Sequence, residues 1–256
     1  MSLREKLKSF FQGQSLSRNI RIKFVILNAI LMLVIFYVVL NKIAYDWTGT
    51  MYAEGTGFRL DIGLGGVEAF WGLDNLIPFV PAMEIFYEYI FYPFVIVTMC
   101  FFAFVESKKG VALGWSLVLI NLVAVLIYIV FPVSTYWWRD AITHSYVVGT
   151  DFWTDQIVKI FNNDPSFNCF PSLHAAVSTI CFYAFYRYAR ITPGKGAKIM
   201  AGLSLVFATG IILSTMFVKQ HYIADEISGI VLAWIVGKLF FDHFWRSIIP
   251  SPRREQ

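Results

Sequence analysis

The stretch STMFVKQHYIAD, from Ser214 to Asp225, places a serine, a lysine, a histidine and a carboxylate between two long apolar runs, residues 199–218 and 227–241. Facing lipid, each such group is costly unless it is paired or lines a cavity, roughly 2.5–3.5 kcal/mol for a mid-helix Lys or Asp. The stretch therefore belongs at the water boundary, where two membrane helices meet. His221 and Asp225 are four residues apart. On a helix that begins near His221, both project from one face. Asp225 can then accept a hydrogen bond from one imidazole nitrogen, fix the tautomer and leave the other nitrogen as base or nucleophile. A structural cap pair at a helix entrance is the plainer reading of a lone His/Asp pair.

A second block shifts that balance. NCFPSLH, from Asn168 to His174, opens another apolar run, residues 175–188. Pro171 suits the first turn of a helix, where its missing N–H costs nothing. Ser172, Leu173 and His174 then lie in that turn, at a positive helix end that receives phosphate readily. A helix-start serine is by itself most often a cap. A histidine two residues on, in a chain of four histidines, gives the pair more weight.

Working outward, 57% hydrophobic residues, 15% charged residues and a mean hydropathy of +0.61 exclude an ordinary soluble domain, because the apolar residues fall in runs too long for a core helix. The net charge of +4 reflects cytoplasmic loops and carries no nucleic-acid inference. Cys100, Cys169 and Cys181 show no metal or CxxC spacing. Cys100 and Cys181 read as packing residues. No cleavable signal is apparent: the first apolar run is long and ends without a small-residue cleavage pattern.

The pattern predicts an all-α polytopic membrane protein with six transmembrane helices. The spans are residues 24–41, 85–105, 111–132, 172–188, 199–218 and 223–244. The first, at 1.5 Å per residue, is about 27 Å long, near the hydrocarbon thickness. Residues 67–76 read as an interfacial helix before the second span. Residues 133–170 form a long polar loop with the character of a lid or a substrate-contacting segment. The chain divides into a basic cytoplasmic segment 1–23, a membrane catalytic domain 24–245 and a cytoplasmic tail 246–256. Within the first segment, residues 3–11 suit either an amphipathic helix on an anionic leaflet or a solvated basic tail. Basic residues fill the N-terminus, the second–third and fourth–fifth loops and the C-terminus, so the positive-inside rule puts both termini in the cytoplasm. His174 and His221 then reach the same extracytoplasmic face.

Pro171-Ser-Leu-His174, then Ser214, His221 and Asp225 in order, resembles the phosphatidic-acid-phosphatase type 2 (PAP2) superfamily. Phe170 to His174 and His221-Tyr-x-x-Asp225 are most similar to its lipid-phosphotransferase branch, which includes inositol phosphorylceramide synthase. The resemblance spans residues 73–245. Two departures stand out: Thr215 occupies the place of an arginine, and the upstream Lys…Arg-Pro block of the phosphatases has no match. Both absences favour the transferase-like branch.

The residues suit phosphoryl transfer through a covalent intermediate. His221 would attack phosphorus, Asp225 would stabilise the imidazolium, and protonated His174 would give its proton to the leaving oxygen. Ser172, Ser214 and the helix N–H groups would hold the equatorial oxygens. The resemblance implies the same roles, with no metal and no cofactor. Spread negative charge still calls for a cation. Arg139 and Lys219 are the candidates, with an interfacial anchor and a snorkelling lysine as their respective alternatives. Tyr87 and Tyr89 fit an aromatic belt, Tyr222 fits packing or the interface rather than catalysis, and His144 and His243 read as incidental. The expected partners are the bilayer, a lipid phosphate and an acceptor alcohol. The competing class is a proton-coupled transporter with His/Asp as relay, but such sites sit near the midplane on broken helices, whereas these groups cluster at span ends.

Overall fold

The structure is a computed structural model that describes residues 17–31, 57–60, 73–163 and 166–243. Among these residues the regular elements are helices, with two isolated bridges and no strand. In order they are α1 (Arg18–Leu31), the single turn α2 (Leu73–Leu76), α3 (Pro81–Val105), α4 (Ser107–Val130), α5 (Tyr136–Ser145), α6 (Phe152–Asn163), α7 (Leu173–Ile191), α8 (Lys195–Phe217) and α9 (Ile223–Val236), which continues as a wider turn through Phe241.

Among the described residues, three helices are long and apolar enough to cross a membrane: Pro81–Val105, Ser107–Val130 and Lys195–Phe217. Their exposed faces carry Val97, Phe104, Leu122, Leu126, Leu203 and Val206, the surface expected where lipid replaces water. Each begins or ends within about four residues of the corresponding expectation. The expected first span is described only to Leu31, and residues 67–72 of the expected interfacial helix lie outside the described residues. So do the 3–11 segment and the 246–256 tail.

Helix α7 is central, packed on α8, α9, α4 and α3. Its neighbours meet it through Ala176, Val177, Ile180, Tyr183 and Ala184, all buried. Small residues let helices approach closely where no hydrophobic gain over lipid drives association. Gly229 on α9 is the sharpest case. A Cβ there would collide with the Ser172 carbonyl oxygen and stand 3.0 Å from the Ala175 Cβ. The start of α7 therefore sits directly against α9.

The long polar loop is mostly helical. α5 and α6 occupy it, and Ile157 and Phe161 of α6 join Tyr87 of α3 and Val218 in one apolar cluster. Asp151 starts α6 by accepting from the Thr154 hydroxyl at 2.6 Å and its amide at 2.7 Å. The hydroxyl bond comes first among the causes that hold this carboxyl below its usual range. Beneath the loop, residues 57–60, 132–135 and 166–170 are stitched together by Phe58 N to Pro132 O (3.0 Å), Ser134 N to Phe58 O (3.0 Å) and Cys169 N to Val133 O (3.4 Å).

Candidate active site

The start of α7, the end of α8 and the start of α9 converge at one end of the bundle. Ser172 is the cap of α7: its hydroxyl accepts from Ala175 N at 3.2 Å. Its own N–H donates to the Asp225 carbonyl at 3.0 Å, which ties α7 to α9. That amide is thus committed to the protein. The Pro171 carbonyl accepts from the Tyr128 hydroxyl of α4 at 2.9 Å.

His174 is buried between two aromatic rings of α3, with Tyr87 stacked at 4.4 Å and Phe91 tilted at 4.5 Å. Its ring centre lies 6.1 Å from that of His221. Tyr87 is therefore no belt residue; it is 6% exposed and forms one wall of His174. Tyr89, two residues on, is exposed and meets Trp153 edge-on.

His221 precedes α9, and Asp225 lies in its first turn. The Asp225 carboxylate does both things the sequence allowed. Its Oδ2 accepts from Tyr222 N at 2.8 Å, a helix-entrance cap, and stands 3.4 Å from His221 Nδ1. Its Oδ1 meets no hydrogen-bond donor among the described residues.

Ser214 is fully buried and donates to Ile211 O of its own helix at 2.6 Å. Thr215 donates to Ile212 O at 2.7 Å and lies 2.8 Å from Glu226 Oε1. Glu226 is 3% exposed and also lies beside Ser172 and within electrostatic reach of His221. Sequence reasoning passed over this carboxylate. A second acid directly after Asp225, at the start of an apolar run, was the available signal.

The two cation candidates separate. Arg139, on α5, is buried; its Nε donates to Thr135 Oγ1 at 3.1 Å and its Nη2 to Gln220 Oε1. The guanidinium carbon sits 5.4 Å over the Phe161 ring. It reaches the residue next to His221. Lys219 is only 7% exposed, so it is no snorkelling interface lysine. Its Nζ donates to the Asp74 carbonyl at 3.0 Å and the Ile77 carbonyl at 2.5 Å, at the C-terminal end of α2, and lies 4.7 Å from the Trp138 ring centre. Its backbone is left-handed, with φ of 61°, a conformation uncommon outside glycine.

Asp74 is a further residue that sequence reasoning missed. Its Oδ1 accepts from Ile223 N at 2.7 Å and caps α9 from 149 positions away. With Lys219, it docks α2 onto the turn that carries His221. Tyr222 locks the same turn from above, donating to Ser134 O at 2.8 Å and accepting from Trp137 Nε1 at 2.8 Å. His144 pairs with Asp140 on the exposed face of α5. Among the described residues one group could hold a cation: Cys169, His221 and Asp225 offer ligand atoms within 4.8 Å of one another.

Two buried histidines, one in the first turn of α7 and one in the turn before α9 that faces a carboxylate, can offer a nucleophile and a proton donor to one phosphoryl group. The sequence matches the PAP2 superfamily over residues 68–239, more than half of the chain and all of the convergence just described. No curated protein and no solved structure matches it. With its apolar helices, this makes the protein an integral membrane protein of phosphatase type. The chain belongs to the PAP2 superfamily.

Proposed function

We propose that the protein is a lipid phosphatase or head-group phosphotransferase of the branch that resembles inositol phosphorylceramide synthase. It acts on a lipid phosphate or phospho-head-group donor at the extracytoplasmic face. The observation that carries the reading is the 6.1 Å between the His174 and His221 ring centres, with Asp225 on the His221 side. A phosphorus centre between them would be in reach of both, since a nucleophile attacks from about 3–3.5 Å and a general acid acts over about 2.6–3.2 Å.

In the first half-reaction, a ring nitrogen of His221 forms a bond to phosphorus as the bond to the leaving oxygen breaks. His174 gives its proton to that oxygen, and Asp225 stabilises the phosphoimidazolium. In the second, water or an acceptor alcohol attacks phosphorus, His174 takes its proton, and the N–P bond breaks. Ser172, Ser214 and Arg139 hold the equatorial oxygens. Ser172 can donate to phosphate while still accepting from Ala175 N, whereas Ser214 must release the Ile211 carbonyl. Lys219, committed to α2, positions the turn instead.

The topology has six membrane helices with both termini cytoplasmic and 24–245 as the catalytic domain, in keeping with the loop charges. A cysteine placed at Gly149 should label from outside in intact cells; labelling only after permeabilisation overturns that orientation.

The functional test is purified protein against a panel of lipid phosphates, with and without acceptor alcohols. Vanadate-sensitive release or transfer, with acid-labile label on His221, is the expected result. No turnover and no labelled histidine on any donor would sink the reading.

A further inference from the structure

We propose that Cys169, His221 and Asp225 form a binding site for a soft or borderline divalent cation, Zn²⁺ by its chemistry, and that its occupancy withholds His221 from phosphoryl transfer. The second clause rests on the function proposed above; the first does not.

The geometry points this way in three respects. First, the His221 Nδ1 to Asp225 Oδ2 separation of 3.4 Å is long for a charge-assisted hydrogen bond, which runs about 2.7–2.9 Å. It matches the edge between two ligands on a tetrahedral ion. Zn–N of about 2.0–2.1 Å and Zn–O of about 2.0–2.2 Å subtend an edge of roughly 3.3–3.5 Å.

Second, Asp225 Oδ1 meets no donor among the described residues although the side chain is fully buried. A buried carboxylate short of one donor is costly, and a cation held by its other oxygen offsets that cost by neutralising the shared charge.

Third, the Cys169 thiol is buried and already aimed at the same turn. Its contacts are Ser166 O at 3.3 Å, Gln220 O at 3.5 Å and Thr135 Oγ1 at 3.7 Å. All three ligand atoms lie within 4.8 Å of one another. With Zn–S near 2.3 Å, a side-chain shift of about 1 Å closes the set.

The donor set decides the metal class. Thiolate and imidazole select zinc and its softer neighbours over magnesium or calcium, which prefer all-oxygen shells. Binding releases the Cys169 thiol proton to solvent and leaves the imidazole neutral. Three protein ligands leave a fourth position for water. Cys169 has no part in the two half-reactions, so the site can be lost while the chemistry stays.

The test uses the full chain in detergent and two readouts. In the first, Co²⁺ is titrated as a spectroscopic stand-in. The expected result is a thiolate-to-cobalt charge-transfer band that Zn²⁺ abolishes, that persists in Cys100→Ala and Cys181→Ala, and that is lost in Cys169→Ser. A band that survives Cys169→Ser, or no band in the parent protein, overturns the site whatever the activity shows. In the second, phosphohistidine formation is followed against free Zn²⁺. Cys169→Ser should keep metal-free turnover and need at least about tenfold more Zn²⁺ for half-inhibition. Zinc binding with unchanged turnover would refute the proposed consequence and leave the site standing. Should Cys169→Ser fail to fold, Zn²⁺-dependent elevation of Tm in the parent protein, lost in Asp225→Asn, reads the same site; equal elevation in both overturns it.

Discussion

At one end of the helix bundle, Arg187 of α7 and Asp242 beyond α9 stand 2.7 Å apart, in ion-pair range though off hydrogen-bond alignment, and the Tyr183 hydroxyl donates to the same carboxylate at 2.9 Å. At the other end, Asp225 and Glu226 are adjacent, His221 faces them with His174 behind it at 6.1 Å between ring centres, and Asp225 Oδ1 and Glu226 Oε2 meet no donor among the described residues. The first cluster balances its charge internally, a buried Asp242 against a half-buried Arg187. The second carries acceptors in excess of donors and keeps two imidazoles close together. Charge matched within the fold reads as structure; charge left for something outside it reads as a site.

Substitutions at the two ends should differ in kind as well as size. Asp225→Asn should lower kcat by about 10³–10⁴-fold, because the amide can hold the ring but favours the wrong tautomer and removes the charge that supports the imidazolium. Single-turnover kinetics on protein with a retained Tm would measure it. Near-normal turnover would reduce Asp225 to the cap of α9 and erase the contrast.

Asp242→Ala should do the reverse. It leaves the half-buried Arg187 without its partner, so stability should fall by about 1–3 kcal/mol, while kcat per folded molecule stays at the parent value. Thermal unfolding and active-site titration, run on the same sample, separate the two quantities. A kcat loss matching that of Asp225→Asn would mean that the two ends are coupled rather than distinct.

Arg139 and Lys219 sharpen the comparison inside the site. Lys219→Ala should lower stability by about 1.5–3 kcal/mol, the worth of a buried hydrogen bond from a charged donor, through loss of the Asp74 and Ile77 contacts. Arg139→Ala should instead lower kcat/KM about tenfold. Arg139→Lys should recover only part, since an ammonium lacks the two-pronged fork. If Lys219→Ala abolishes labelling of His221 while Arg139→Ala leaves it intact, the phosphate-holding cation is Lys219.

The smallest effect belongs to Glu226→Gln. The amide oxygen keeps the Thr215 bond, and the loss of an acid beside the phosphate should lower KM for an anionic donor about fivefold, equivalent to about 1 kcal/mol. Steady-state KM with and without an acceptor alcohol checks this. A kcat loss of a hundredfold or more would make Glu226 a group that acts on the reacting atoms.

Apolar runs and the four-residue spacing of His221 and Asp225 are local properties, and they were legible without coordinates. Hydropathy is a sum over neighbours in the chain, and helical spacing decides which of them share a face. So the all-helical class and the helices near residues 85–105, 111–132 and 199–218 followed from the chain alone. Only the tertiary structure decided the rest. Asp74 caps α9 and Lys219 holds α2 across more than 140 positions, and Tyr87 walls His174 from a different helix. Thr215 finds Glu226 across the turn between two helices, and the Cys169 thiol comes within 4.8 Å of a His221 ring nitrogen. These pairings depend on how closely α7, α8 and α9 approach. That approach is set at Gly229, where any side chain would push the Ser172 carbonyl away. A hydrogen bond is made or lost over a few tenths of an ångström, and such a distance belongs to the packing of side chains from remote parts of the chain, not to any one stretch of it.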